Sequence, residues 1–168
     1  MCIDYRALNS QTRSDVYPLP RIDELLQHLD GAQVFSKFDM RDGYHQIPVR
    51  MSDRVKTSFT CRYGTFQFTV MPFGLATAPS TFQRVMNTIF FDLLDHGVLV
   101  YLDDVLVYSK SVAEHKILLN KVFSLFAKHK LYLKESKCSL FLDKVNFLGH
   151  VVSSEGVSLE SGKVDVVK

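Results

Sequence analysis

Tyr101-Leu102-Asp103-Asp104 sets two adjacent carboxylates between two apolar runs, Val98 to Leu102 and Val105 to Tyr108. Both runs are β-branched and aromatic, so each reads as a strand, and the two residues between them read as a tight hairpin turn. The hairpin is therefore expected to carry both aspartates at its tip. Adjacent anions on a rigid turn repel each other, and a nearby cation offsets that repulsion. Carboxylate oxygens are hard ligands that suit Mg²⁺ or Mn²⁺. On these four residues alone a solvated Asp-Asp turn fits equally well, because aspartate is a common turn residue.

A third carboxylate, Asp39, ends the alternating run from Val34, which reads as a strand. A carboxylate at a strand end can face a cleft and meet Asp103 and Asp104 across neighbouring strands. Three such carboxylates can hold two divalent ions about 3.5–4 Å apart, an arrangement that serves in-line phosphoryl transfer. Whether they converge is not legible from sequence.

Several elements must position these groups. Pro20 suits the first turn of a short helix that carries Ile22, Leu25, Leu26 and Leu29 at helical spacing, with Gly31 as its stop. Residues 46–50, 56–60 and 65–70 read as further strands, with Tyr63-Gly64 as a turn. Phe82, Val85, Met86, Ile89, Phe90, Leu93 and Leu94 form the strongest helical stripe, with Thr77 as cap and Pro79 in the first turn. Ser111 and Glu114 form a capping-box pattern ahead of a helix running to about Lys130. Its expected buried side is Ile117, Leu118, Val122, Leu125 and Phe126. Short strands follow around 131–133, 137–141 and 145–152. Strands and helices mix without a regular βαβ repeat, which predicts an α+β fold with a largely antiparallel sheet.

The 168 residues suffice for one domain with a real core, and 46% hydrophobic with 23% charged residues is a globular composition. No apolar run reaches about 18 residues, so no membrane span is expected. The N-terminus reads as neither a signal nor a transit peptide. Cys2, Cys61 and Cys138 are isolated and fit neither zinc spacing nor a disulfide framework, which points to a reducing, intracellular compartment. The net charge of +2 is uneven. Residues 110–168 carry ten lysines, a pattern that suits a nucleic-acid backbone and equally a solvated helix face.

Five segments, in order, resemble the reverse transcriptase of Ty3/gypsy-type LTR retrotransposons. They are Cys2 to Asn9; Phe38-Asp39 with Asp42 to Ile47; Met71 to Gln83; Tyr101 to Asp104; and Phe147 to His150. Together they span nearly the whole chain. The resemblance implies a polymerase palm, a mostly antiparallel sheet backed by helices, with partial fingers. It places fingers at about 1–30 and 46–72, and palm at about 31–45 and 73–155.

The same resemblance assigns roles. Asp39, Asp103 and Asp104 match the catalytic, metal-binding triad, and Met40 matches a position whose carbonyl helps hold a metal. The implied cofactor is two Mg²⁺ ions, with Mn²⁺ as a substitute. Asp42 and Gly43 match residues whose backbone faces the triphosphate. Tyr44 matches the aromatic beneath the incoming sugar, where its ring takes the space of a ribose 2′-OH; by spacing alone it reads as a core tyrosine. Phe73 matches a position beside the incoming nucleotide. Phe147, Leu148, Gly149 and His150 match a primer-binding hairpin, although His150 by itself reads as a surface histidine. The implied partners are an RNA or DNA template with primer, and dNTP. Residues that grip triphosphate are expected before Met1, and thumb, connection and RNase H regions after Lys168. The chain therefore reads as a fragment of a Pol polyprotein that carries RNA-directed DNA polymerase activity. The alternatives are a truncated, non-catalytic remnant that keeps the fold, and the palm of a template-dependent RNA polymerase, against which Tyr44 argues. Oligomeric state is open.

Overall fold

Alternation along β1 (Val34–Asp39) sends Val34, Ser36 and Phe38 to one face and Phe35, Lys37 and Asp39 to the other. The computed structural model describes residues 3–13 and 17–159; Cys2 lies outside them. Before β1 come α1 (Arg6–Gln11) and α2 (Ile22–Gln27). After it come α3 (Met51–Arg54), the small hairpin β2 (Phe59–Cys61) and β3 (Gly64–Phe66), and α4 (Ala78–Ile89). The second half holds β4 (Val98–Tyr101), β5 (Asp104–Ser109), α5 (Val112–Lys128), β6 (Ser139–Leu142), β7 (Lys144–Phe147), β8 (His150–Ser153) and β9 (Gly156–Leu159).

The main sheet has the order β4-β5-β1-β6, and every pairing in it is antiparallel. One face presents Phe38, Val98, Val100, Val105 and Val107 to Phe82 and Met86 of α4 and to Leu118, Leu119, Val122 and Phe126 of α5. The other face presents Phe35, Leu99, Leu106 and Tyr108 to Leu25 and Leu29 and to Val145, Phe147 and Val152 of the β7-β8-β9 sheet. The fold is thus α+β, with an antiparallel sheet backed by helices, as the alternating strands predict.

Local differences have local causes. Residues 46–50 form no strand: a 3₁₀ turn spans Gly43–Gln46, and only Pro48 bridges to Val70. Val55–Thr57 is a second 3₁₀ turn, so the expected strand begins only at Phe59, and the connecting turn is Arg62-Tyr63. The 131–133 segment makes a single bridge, Leu133 to Met40, instead of a strand. The long 145–152 segment folds back on itself at Leu148-Gly149, whose φ values of +50° and +78° fit the tight turn that matches strand twist. In α5, Ile117 faces solvent and Leu119 is buried in its place. Ser111 caps that helix as expected, its hydroxyl accepting from the Glu114 N–H.

Candidate active site

The β1–β5 register places Asp39 directly opposite Asp104. Tyr101 pairs with Asp104, so the two-residue turn of the β4–β5 hairpin is Leu102-Asp103, one residue earlier than the apolar pattern indicates. Asp104 is the first residue of β5, not part of the tip. The cause is Leu102, which adopts φ +52° and so leaves strand geometry. Its N–H donates to Oε1 of the fully buried Gln83 at 2.7 Å, and Gln83 Nε2 donates to the Val100 carbonyl at 3.1 Å. One α4 side chain thereby pins the β4 side of the turn that carries Asp103.

Asp39 is held from the opposite edge. Its carbonyl accepts from the Lys134 N–H at 2.9 Å, the Met40 N–H donates to the Asp103 carbonyl at 3.2 Å, and the Arg41 N–H donates to the Tyr132 carbonyl at 3.0 Å. Gln46 completes the clamp: its Nε2 donates to Tyr132 O at 2.9 Å and its Oε1 accepts from Tyr132 N at 2.8 Å.

Asp39, Met40, Asp42, Gly43, Phe73 and Asp103 line one open cleft of about 650 Å³, closed on its far side by residues 133–137. Packing around the Asp103 carboxyl, followed by the Asp104 and Asp39 charges, pushes its pKa above the usual carboxylate value, against the pull of a backbone N–H. Among the described residues, no three carboxylate, imidazole or thiol groups converge on one metal-ligating point. Two of the carboxylates are instead paired with lysines. Lys37 Nζ lies 3.0 Å from Asp104 Oδ1, and Lys137 Nζ lies 3.0 Å from Asp39 Oδ2. Asp39 and Asp103 line the solvent-open cleft, and Asp104 lies outside its lining, opposite Asp39 and paired with Lys37; carboxylates of this kind suit a divalent cation.

Gly43 is buried against the hairpin. A Cβ there would sit 3.3 Å from the Asp103 Cβ and 3.4 Å from Phe82 Cζ, so the missing side chain permits the close approach. Asp42, at φ +50°, turns the chain into this contact. Tyr44 packs edge-on against Phe82 at 5.4 Å and tilted against Phe73 at 5.1 Å, beside Asp103. Phe73 is 56% exposed, and its loop is tied to α1: Asn9 Nδ2 donates to Gly74 O and Asn9 Oδ1 accepts from Ala76 N.

The Phe147 to His150 segment forms a hairpin turn, but Phe147 is fully buried in the core behind the sheet. Its ring anchors the turn and is not available to a ligand. His150 Nδ1 lies 3.1 Å from Leu148 O, within its own turn. Contact with the triad runs through Lys37, whose Nζ also reaches Asn146 O at 3.4 Å. Sequence reasoning missed Lys37, Lys137, Gln46 and Gln83. Lys37 was within reach, two residues before Asp39 and so on the same strand face.

The family model for reverse transcriptase (RNA-dependent DNA polymerase) matches residues 1–152. The chain is 41% identical over 165 residues to the retrovirus-related Pol polyprotein from transposon 297 of Drosophila melanogaster, covering 98% of this chain and 16% of that protein. It is 36% identical over 167 residues to the transposon Tf2-3 polyprotein of Schizosaccharomyces pombe, covering 99% of this chain and 12% of that one. Among solved structures, the foamy viral protease-reverse transcriptase in complex with RNA/DNA hybrid matches with a TM-score of 0.88 at 25% identity, over 98% of this chain and 22% of its own. The same enzyme in complex with dsDNA matches at 0.89 over 99% and 35%. The chain thus spans a small part of the polyproteins it matches, and within that span it belongs to the reverse transcriptase family.

Proposed function

We propose that this chain forms the palm and part of the fingers of an RNA-directed DNA polymerase from a retrotransposon Pol polyprotein. The observation that carries the reading is the pairing of Asp39 with Asp104 across β1 and β5, with Asp103 on the clamped turn beside them. The reaction joins a primer 3′-oxygen to the α-phosphorus of a dNTP and breaks the bond to the β-phosphate, releasing pyrophosphate and the hydroxyl proton. Asp39, Asp103 and Asp104, with the Met40 carbonyl, are the groups that would hold two Mg²⁺ ions, or Mn²⁺ in their place. When bound, such ions supply charge stabilisation at the attacking and leaving oxygens.

The chain's own residues do the positioning. Asp42 and Gly43 bring backbone to the cleft wall where a triphosphate would lie. Tyr44, braced by Phe82 and Phe73, forms a fixed floor that fills the space of a 2′-OH. The Leu148-Gly149 turn is the proposed primer contact, with Phe147 as its buried anchor. A primer–template partner is supported by the nucleic acids in the complexes of the matching viral enzyme. On this reading the fingers are about 1–30 and 46–72 and the palm about 31–45 and 73–155, with Leu25 and Leu29 of the fingers segment packing behind the main sheet.

Primer extension with dNTP and Mg²⁺ tests the reading, comparing the wild type with Asp103→Asn. Loss of extension in a variant that melts cooperatively supports it. Equal, measurable extension by the two proteins removes the triad from the chemistry.

A further inference from the structure

Like charges directly opposite each other weaken a sheet, and Asp39 and Asp104 are directly opposite. Each meets an ammonium from a different element. Lys37, on the same face of β1 as Asp39, reaches diagonally to Asp104 at 3.0 Å, and both side chains are about three-quarters buried, at 25% and 26% exposure. Its Nζ also lies 3.4 Å from the Asn146 carbonyl, which fixes where the ammonium sits. Lys137 comes from the 3₁₀ turn Glu135–Lys137 and meets Asp39 at 3.0 Å from the solvent side. With Asp103, three carboxylates share two ammoniums, leaving one net negative charge.

We propose that Lys37 and Lys137 are the built-in counter-cations of this triad, and that a divalent cation loads by exchange with them. The inference rests on the metal role proposed for the triad. Each ammonium occupies one oxygen of its carboxylate, Asp104 Oδ1 and Asp39 Oδ2, and so competes with a cation for that group. Two divalent ions would bring more positive charge than three carboxylates neutralise, so both ammoniums must move away. Lys37 has a second acceptor to retain, and Lys137 has open solvent beside it. The lysines therefore stabilise the cation-free protein and weaken its cation affinity. A lysine that served only to support the loaded site would have the opposite effect on affinity.

The test is Mn²⁺ titration of the 168-residue chain, following free Mn²⁺ by electron paramagnetic resonance. Lys37→Met and Lys137→Met keep the apolar stems and remove the charges. Each is expected to bind Mn²⁺ about twofold to fivefold more tightly than wild type, the range spanned by a single partly exposed ion pair. In chelator, Lys37→Met should melt below wild type, and added Mn²⁺ should narrow the gap. Unchanged or weaker Mn²⁺ binding in the methionine variants overturns the exchange. If Lys37→Met does not fold, Lys137→Met decides alone, because its side chain is 55% exposed on a surface turn. Asp103→Asn separates the two levels of the argument. Weaker Mn²⁺ binding by that variant keeps the triad as the site while the lysine variants are judged. Unchanged binding overturns the triad reading and the exchange with it.

Discussion

The backbone N–H of Leu102 donates to Gln83 Oε1 at 2.7 Å, across the boundary between the acidic hairpin and α4. Gln83 is fully buried, and its Nε2 is shared between Val100 O and Asn87 Oδ1. A left-handed leucine is unfavourable, since its Cβ crowds the following carbonyl. The glutamine bond stabilises that conformation and so fixes where Asp103 points. Gln83→Leu keeps the volume and strips the partners from the Leu102 N–H and the Val100 carbonyl. Leaving a buried donor or acceptor unsatisfied costs about 1–3 kcal/mol each, so with two groups stripped urea unfolding should show a loss of about 2–6 kcal/mol. Primer extension, measured where the variant is still folded, should fall as well. Full extension by the folded variant would mean the turn holds its aim without Gln83.

Gly43 faces Asp103 at the narrowest point of the site. A methyl group added there is tighter than ordinary contact on two sides, against the Asp103 Cβ and the Phe82 ring. Phe82 is fully buried and held by the core, so the hairpin must give. Gly43→Ala is expected to lower stability by about 1–3 kcal/mol, as overpacking does, and to reduce extension by displacing Asp103. Chemical denaturation and single-turnover extension, run on the same preparation, read both effects. Wild-type values for both would show that the contact relaxes without moving the carboxylate.

What was legible in the sequence was what short-range patterns encode. β1 runs from Val34 to Asp39 as its alternation indicates, and the Ser111 cap opens α5 where Ser111 and Glu114 place it. The three carboxylates were legible as residue types near two strand ends, and the place of Asp104 in β5, off the hairpin tip, was not. The misplacements arise where a distant partner overrides the local pattern. Leu102 looks like the last apolar residue of a strand, yet a glutamine 19 positions earlier draws its N–H into a turn. Residues 131–133 look like a strand but serve as a strap over the end of β1, held by Gln46 from 86 positions away. Ile117 is as apolar as Leu119, and only the docking angle of α5 decides which is buried. Lys137 gave no signal, because its partner Asp39 is 98 residues away in sequence.

Tyr44 joins the Phe82 and Phe73 rings, and burial, with a smaller contribution from Asp103, raises its phenol pKa. Its hydroxyl therefore stays neutral across the working range, and the ring acts by shape. Tyr44→Val removes that bulk from the floor of the cleft. If the ring excludes ribonucleotides, the ratio of kcat/KM for rNTP over dNTP should rise by about 10- to 200-fold, the range a pocket contact of this size controls. A ratio that stays constant would leave Tyr44 as a core brace between the two phenylalanines.

His115 provides a pH dependence away from the cleft. It is fully buried, with Nδ1 at 2.9 Å from Ser109 Oγ and Nε2 at 2.7 Å from Ser36 Oγ. Ser109 spends its single hydroxyl hydrogen on the Ser111 carbonyl, so it must accept from His115 Nδ1–H. Nε2 is then bare and accepts from Ser36, whose oxygen accepts in turn from the Phe141 N–H. This network satisfies a neutral ring. A proton on Nε2 would force the Ser36 hydroxyl hydrogen away from its acceptor in a buried site. Burial accordingly lowers the His115 pKa, only partly opposed by Glu114. With the folded pKa below the unfolded one, the unfolded chain binds the proton first as pH falls. The contribution is therefore complete only well above about pH 6.5, the unfolded histidine's own pKa, and is lost as pH falls through that value toward the lower folded one. Unfolding free energy measured by urea between about pH 5 and 7.5 should rise with pH across this window, and His115→Phe should have a smaller slope there although it is less stable throughout. Parallel slopes for the two proteins would assign the acid sensitivity to other groups.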